Sequence, residues 1–350
     1  MTSAADALRA VAPALAFLLA GVPLAALLDR LGFFDAVAGV LEARWPELPV
    51  AALWAVAAAT TAVLNLDTTV VLLTPLYVRL ARRAEVDPVP LALVPLLLAA
   101  FASSVLPVSN LTTLIAADRL DLGVGQVAGH LALPSLAAVV AGWLAYRRRH
   151  PTTVATVHPG DIDRRALGIG GAVVVGLLVG FTVGPSAGLA PWVVAVAADL
   201  VLIVVVRDLP WRSLPVATAA GVAAVAMAVG AWLPEGWLDP VRSASHPLGA
   251  AAAVAGATVA SSVVNNLPAT LAAFEGARTA SPGLWGWLLG ANVGSVLVPV
   301  GALANLLWLR IVRDEGHAVG LRRYVVLVAP IALPALVAAA VVHVALTALT

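Results

Sequence analysis

Apolar runs long enough to cross a bilayer recur along almost the whole chain, near residues 10–29, 90–117, 124–146, 166–184, 189–206, 213–231, 284–309 and 324–348. A spanning helix needs about 20 mostly apolar residues. In lipid every backbone N–H and C=O must find its partner inside the protein, so runs of this kind can only become helices. Composition agrees. Of 350 residues 61% are hydrophobic and 11% charged, with a mean hydropathy of +1.00. A soluble domain carries about a quarter charged residues, so charge this sparse excludes a cytosolic enzyme, a nucleic-acid binder and a disordered chain. The net charge of +1 implies no acidic or basic partner, and cysteine is absent. Disulfides, thiolate metal sites and cysteine nucleophiles are thereby excluded. No convincing small-residue cleavage site follows Asp6 and Arg9, so the start does not read as a removed signal.

Two further apolar stretches, 49–81 and 247–278, are broken at their centres by polar residues. They read Asn65-Leu66-Asp67-Thr68-Thr69 and Ser261-Ser262-Val263-Val264-Asn265-Asn266-Leu267-Pro268. Backbone can turn at bilayer depth only where protein or a polar cavity satisfies it, so both are expected to be re-entrant hairpins. Arginine placement tests the map, because basic loops stay in the cytoplasm. Arg147, Arg148, Arg149, Arg164 and Arg165 make 147–165 cytoplasmic. Counting outward then puts Arg79, Arg82, Arg83, Arg207, Arg212, Arg310, Arg313, Arg322 and Arg323 inside, with Asp118, Arg119, Asp121, Glu235, Asp239 and Arg242 outside. Reading either hairpin as a single crossing would strand an Arg cluster on the wrong side. The map has about eight spans plus two hairpins, with both termini outside a cytoplasmic membrane, and gives Arg79, Arg82 and Arg83 no role beyond orientation.

The halves match at an offset of about 190–200 residues: Asn65 with Asn265, Leu106-Pro107-Val108-Ser109-Asn110-Leu111 with Val298-Pro299-Val300-Gly301-Ala302-Leu303, and 124–146 with 324–348. The expected fold is an all-α polytopic membrane protein, an inverted-topology repeat with two re-entrant helical hairpins and two broken transmembrane helices. Residues 1–146 form the first repeat, short of its first two spans. Residues 147–165 are the linker and 166–350 the second repeat. Inverted repeats are the mark of secondary transporters, whose sites lie at the midplane where interrupted segments meet.

Four polar interruptions converge on such a site. The hairpins contribute Asn65, Thr68 and Thr69, and Ser262, Asn265 and Asn266; the broken spans contribute Ser109, Asn110 and Thr112, and Asn292, Gly301 and Asn305. Proline removes a backbone donor and glycine lets the chain unwind, while Asn and Ser side chains both donate and accept. The plainer alternative is that such groups only hold helices together. Ionisable groups at bilayer depth are costly and mark function. Asp67 is the candidate proton carrier, with capping of the helix that follows as its alternative role. Asp199 is a second coupling candidate, or a structural partner for an arginine. Neither HExxH, a phosphate loop nor GxSxG occurs, so no enzyme and no cofactor is expected.

The stretches Asn65–Pro75, Pro107–Leu111, Ser261–Pro268 and Pro299–Leu309, with Leu28–Phe34, resemble the arsenical pump membrane protein family of the ion transporter superfamily, whose folds are citrate-transporter-like. The resemblance covers nearly the whole chain in order. It implies proton-driven export of arsenite or antimonite, with an ATPase subunit and a homodimer as candidate partners beside the lipid bilayer. Asn292 and Ala302 depart from the family pattern, which tends to have an acid and a serine there; Asp67 is left as the main acidic candidate. Arsenite is mostly an uncharged trihydroxide at neutral pH, which suits amide and hydroxyl groups. A citrate or dicarboxylate carrier, a Na+/H+ antiporter and a non-transporting scaffold are the alternatives.

Overall fold

The computed structural model describes residues 4–45, 47–63, 65–155, 162–184, 188–211, 214–232 and 236–349. Arg212 and Glu235, used above for orientation, and 156–161 of the linker lie outside the described residues. The protein is an all-α polytopic membrane protein. In chain order the helices are α1 (Ala4–Arg30), α2 (Phe33–Arg44), α3 (Val50–Val63), α4 (Leu66–Arg83), α5 (Pro88–Phe101), α6 (Leu111–Leu120), α7 (Val124–Tyr146), α8 (Arg164–Val183) and α9 (Pro191–Val206). There follow α10 (Val216–Trp232), α11 (Asp239–Arg242), α12 (Pro247–Val264), α13 (Asn266–Phe274), α14 (Pro282–Val293), α15 (Leu303–Asp314) and α16 (Leu321–Leu349). Among the described residues five helices are singly long and apolar enough to span a membrane, in α1, α7, α8, α12 and α16. Two features went unseen in the sequence. One is α2; the other is a two-stranded antiparallel sheet, β1 (Glu47–Pro49) with β2 (Thr153–Ala155).

Both interrupted stretches fold back on themselves. In the first, Tyr77 Oη donates to the Leu53 carbonyl at 2.6 Å, and the Thr61 and Thr69 hydroxyls meet at 2.9 Å. Both pairs are symmetric about residue 65, so α3 and α4 run side by side for about 18 Å from the tip, at 1.5 Å per residue. In the second, Arg242 donates to the Ala272 and Ala273 carbonyls at 2.9 and 3.0 Å, and Gly283 N donates to Ala244 O at 3.1 Å. The end of α13 has thus returned to where α12 began. The open ends lie on opposite sides of the molecule, and α16 measures the gap. Arg323 near its start pairs with Asp87, beside the open end of the first hairpin; His343 near its end sits 3.1 Å from the Pro282 carbonyl, beside the open end of the second. Twenty residues of helix between them span about 30 Å.

Close approach of backbones holds the second hairpin. Gly283, Gly286, Gly290 and Gly294 form a stripe along α14 and the turn after it. A Cβ at Gly290 would sit 2.2 Å from the Val254 carbonyl of α12, and one at Gly286 would sit 2.6 Å from that of Ala250. Without water to drive helices together, packing of small residues at this spacing does the work. Buried aromatic donors reach carbonyls near helix breaks and prolines: Tyr324 Oη to Val296 O at 2.8 Å, and Trp308 Nε1 to Ala92 O at 2.6 Å.

The first hairpin is held at its open end by charge. Arg79 pairs with Asp29 (2.5 Å), Asp35 (3.5 Å) and Glu315 (3.1 Å); Arg82 pairs with Glu315 (2.8 Å); Arg83 pairs with Asp35 and Glu42 (3.0 Å each). The three arginines therefore do more than set orientation: they tie α4 to α1, α2 and the α15–α16 turn. Burial pushes the Glu315 carboxyl above its ordinary value, and Arg79 and Arg82 pull it back down. Removing one partner from a buried pair leaves an uncompensated charge, at a cost of about 3–5 kcal/mol.

Candidate functional site

Four helix starts meet at the centre of the molecule, those of α4, α6, α13 and α15. One narrow gap, with no room for a water molecule, is lined by Leu66 of the first, Asn110 just before the second, Asn266 of the third and Ala302, Ala304 and Asn305 at the fourth, together with Ala99, Ala100, Asn292 and Ser295. Both broken spans break alike. Pro107–Ser109 and Pro299–Gly301 are single 3₁₀ turns, entered from extended residues at φ −129°, ψ 151° (Leu106) and φ −133°, ψ 151° (Val298). Proline at the first position sets φ and spares a donor that would be unpaired anyway. At Gly301 there is no space for a side chain: a Cβ would lie 2.0 Å from the Ser295 carbonyl.

Most of the amides named from the sequence are engaged by protein. Asn292 ties the two halves together. Its Oδ1 accepts from Thr112 Oγ1 at 2.6 Å, and its Nδ2 donates to Ser104 Oγ (2.9 Å) and Thr113 Oγ1 (3.1 Å). Asn305 Nδ2 donates to the Ser295 and Val298 carbonyls at 2.8 and 2.9 Å, taking up acceptors freed by the break. Asn110 donates to Ser103 Oγ at 3.0 Å and accepts from Thr112 N at 3.1 Å, capping α6. Asn65 caps α4 through Thr68 N at 2.7 Å, and Asn265 caps α13 through Leu267 N at 3.2 Å. Ala302, before α15, offers no side-chain cap. Each hairpin is also pinned to its broken span. Ser109 Oγ donates to Ala62 O at 2.5 Å in the first half, and Asn265 Nδ2 donates to Val300 O at 2.8 Å in the second.

Buried side-chain atoms without a partner occur at both tips, and also away from them at Thr74, Ser135 and Asp199. Asp67 Oδ1, Thr68 Oγ1, Ser261 Oγ and Thr270 Oγ1 are buried without a partner. A buried polar atom left unmatched costs about 1–3 kcal/mol and calls for an explanation. Asp67 opens onto a second cavity, of about 470 Å³, lined by Asn65, Leu66, Leu111 and Leu114 on one side and by Pro13, Phe17, Phe181 and Gly188–Trp192 on the other. Leu66 lines both cavities, and Asn110 and Leu111 face one each. Among the described residues no Arg or His lines either.

Two sequence candidates stand apart. Ser262 donates within its own helix to Thr258 O at 2.8 Å. Asp199 is buried on α9 with Oδ1 unpartnered and lines neither cavity; no arginine pairs with it among the described residues. The site residues missed from the sequence are Thr61 and the apolar walls Phe17, Phe181 and Trp192. Apolar side chains in apolar spans carry no mark that separates a cavity wall from a lipid-facing residue.

Hairpins that open on opposite sides, with paired helix breaks between their tips, are the architecture of a secondary membrane transporter. A family model described as "Citrate transporter" matches residues 3–289, and the chain belongs to that family. Its members are transporters, not enzymes.

Proposed function

We propose that this protein is a proton-coupled exporter of a small uncharged metalloid trihydroxide, arsenite or antimonite, in the cytoplasmic membrane. Residues 1–146 and 166–350 act as two inverted units about the cytoplasmic linker 147–165, with both termini outside. The observation that carries the reading is the chemistry of the groups that line the two cavities. Asn65 and Asp67 line the larger and Asn110, Asn266, Asn292 and Asn305 the narrower, and among the described residues neither has a cationic side chain. Amides that donate and accept suit As(OH)3. A citrate trianion in such a place would lack a countercharge, and burying unpaired charge is expensive. Asp67 supplies the proton-carrying group, and Asn65, Asn110, Asn266 and Thr68 surround the cargo during turnover. Pairing of supposed counterparts supports the inverted units: α1 packs on α10, and α7 along α16.

A citrate or dicarboxylate carrier is the second reading, favoured by the family description and by one structural detail. Helix N-termini attract anions, and that of α15 lacks a side-chain cap. The other three starts are already capped by Asn65, Asn110 and Asn265, which weighs against it.

Everted vesicles with an acidic lumen, offered arsenite, citrate or Na+ in turn, separate these readings. Uptake of arsenite that collapses with the pH gradient is expected. Uptake of citrate alone would replace the first reading with the second, and movement of none would leave a scaffold.

A further inference from the structure

The larger cavity is out of proportion to a bare hydroxide. As(OH)3 has four heavy atoms, on the order of 100 Å³ at the roughly 30 Å³ that each water occupies in the liquid. The cavity holds about 470 Å³. Its walls are also wrong for that cargo. Among the described residues only Asn65, Asp67 and the indole of Trp192 bring polar side-chain atoms; the other described wall residues are aliphatic or aromatic. Phe17 and Phe181 meet edge to face, centroids 5.8 Å apart at 61°, and form an aromatic corner. Such a corner favours a further ring in an offset or edge-on position. A buried ring needs about 150 Å³, which leaves room for a polar head beside Asp67.

Resting on the metalloid reading, we infer that the cargo includes trivalent arsenicals bearing one hydrocarbon group, R–As(OH)2. The two hydroxyls face Asn65 and the Asp67 carboxyl, and R fills the space bounded by Phe17, Leu114, Phe181 and Trp192. Capture is reversible, because the chain has no cysteine to bond the arsenic. The bilayer offers a competing occupant, a lipid acyl chain, which fits the walls and leaves Asp67 without a partner.

The test uses the full-length protein in phosphatidylethanolamine/phosphatidylglycerol proteoliposomes with an acidic lumen. Labelled arsenite uptake is competed with unlabelled arsenite or with phenylarsine oxide, which hydrates to phenylarsonous acid. The phenyl compound should compete at least tenfold better. In Leu114→Trp, which fills the cavity from a half-exposed position, the ratio of the two inhibition constants should fall towards one. Quenching of Trp192 emission by phenylarsine oxide, read as the difference between the wild type and Trp192→Phe, should weaken in step. Equal competition by the two compounds, or a ratio that Leu114→Trp does not move, would overturn the inference and leave arsenite export standing. A complete lack of arsenite uptake would remove the parent reading, and this one with it.

Discussion

The two hairpin tips carry the same residue 200 positions apart, and they are built differently. Asn65 sits in extended backbone at φ −173°, ψ 170°, which any residue adopts, and its side chain caps α4. Asn265 sits at φ 78°, ψ 152°, a region otherwise left to glycine, and its amide reaches across to Val300. Holding a non-glycine residue there costs about 1–3 kcal/mol, so the surroundings of the second tip must over-determine it. The breaks differ in the same sense. Ser109 has room for a side chain and uses it to bind the first hairpin; its counterpart Gly301 has none, and the hairpin does the binding instead. The joint is the same, with donor and acceptor exchanged. The first half is the relaxed one, and it alone places a carboxyl at its tip.

Swapping the breaks should produce the largest effect. Gly301→Ser drives a side chain onto the Ser295 carbonyl and is expected to yield no folded protein, whereas Ser109→Gly should lower stability by about 1 kcal/mol for the lost hydrogen bond. Expression and detergent melting temperature read both, and equal tolerance would dissolve the distinction between the halves. Next comes chemistry: Asp67→Asn should abolish pH-driven uptake while the protein inserts and melts normally. Undiminished pH-driven uptake would remove Asp67 as the carrier. Asn265→Ala keeps the strained backbone and loses two hydrogen bonds, for about 2–3 kcal/mol; Asn265→Gly should recover part of this by relieving strain. Asn65→Ala loses only a cap, about 1 kcal/mol. Similar melting shifts for the two alanine variants would mean that the tips are equivalent after all. The smallest change is Ala302→Ser, which gives α15 the cap it lacks and should stabilise by about 0.5–1 kcal/mol. In a citrate carrier the same change would compete with the anion and weaken its uptake.

How much of this was readable in advance depends on range. Polar residues inside apolar runs are conspicuous, so Asn65, Pro107, Asn265 and Pro299 marked both tips and both breaks. The three-residue strands β1 and β2 are too short to show alternation. The arginines of α4 looked like topology signals because their partners stand 50 positions back at Asp29 and more than 230 ahead at Glu315. Asn292 lines the central gap, and what no local pattern shows is that it also fastens one half to the other, with partners about 180 residues away. Nothing local distinguishes an amide that waits for substrate from one already engaged.

Leu66 borders both the polar centre and the greasy chamber beside it. The width of residue 66 then works as a partition in a two-room house. Alanine would throw the rooms into one and admit bulkier guests to the amides, and phenylalanine would thicken the wall and leave each room to its own. A lineage could retune what it carries at that one codon, with every helix left where it stands.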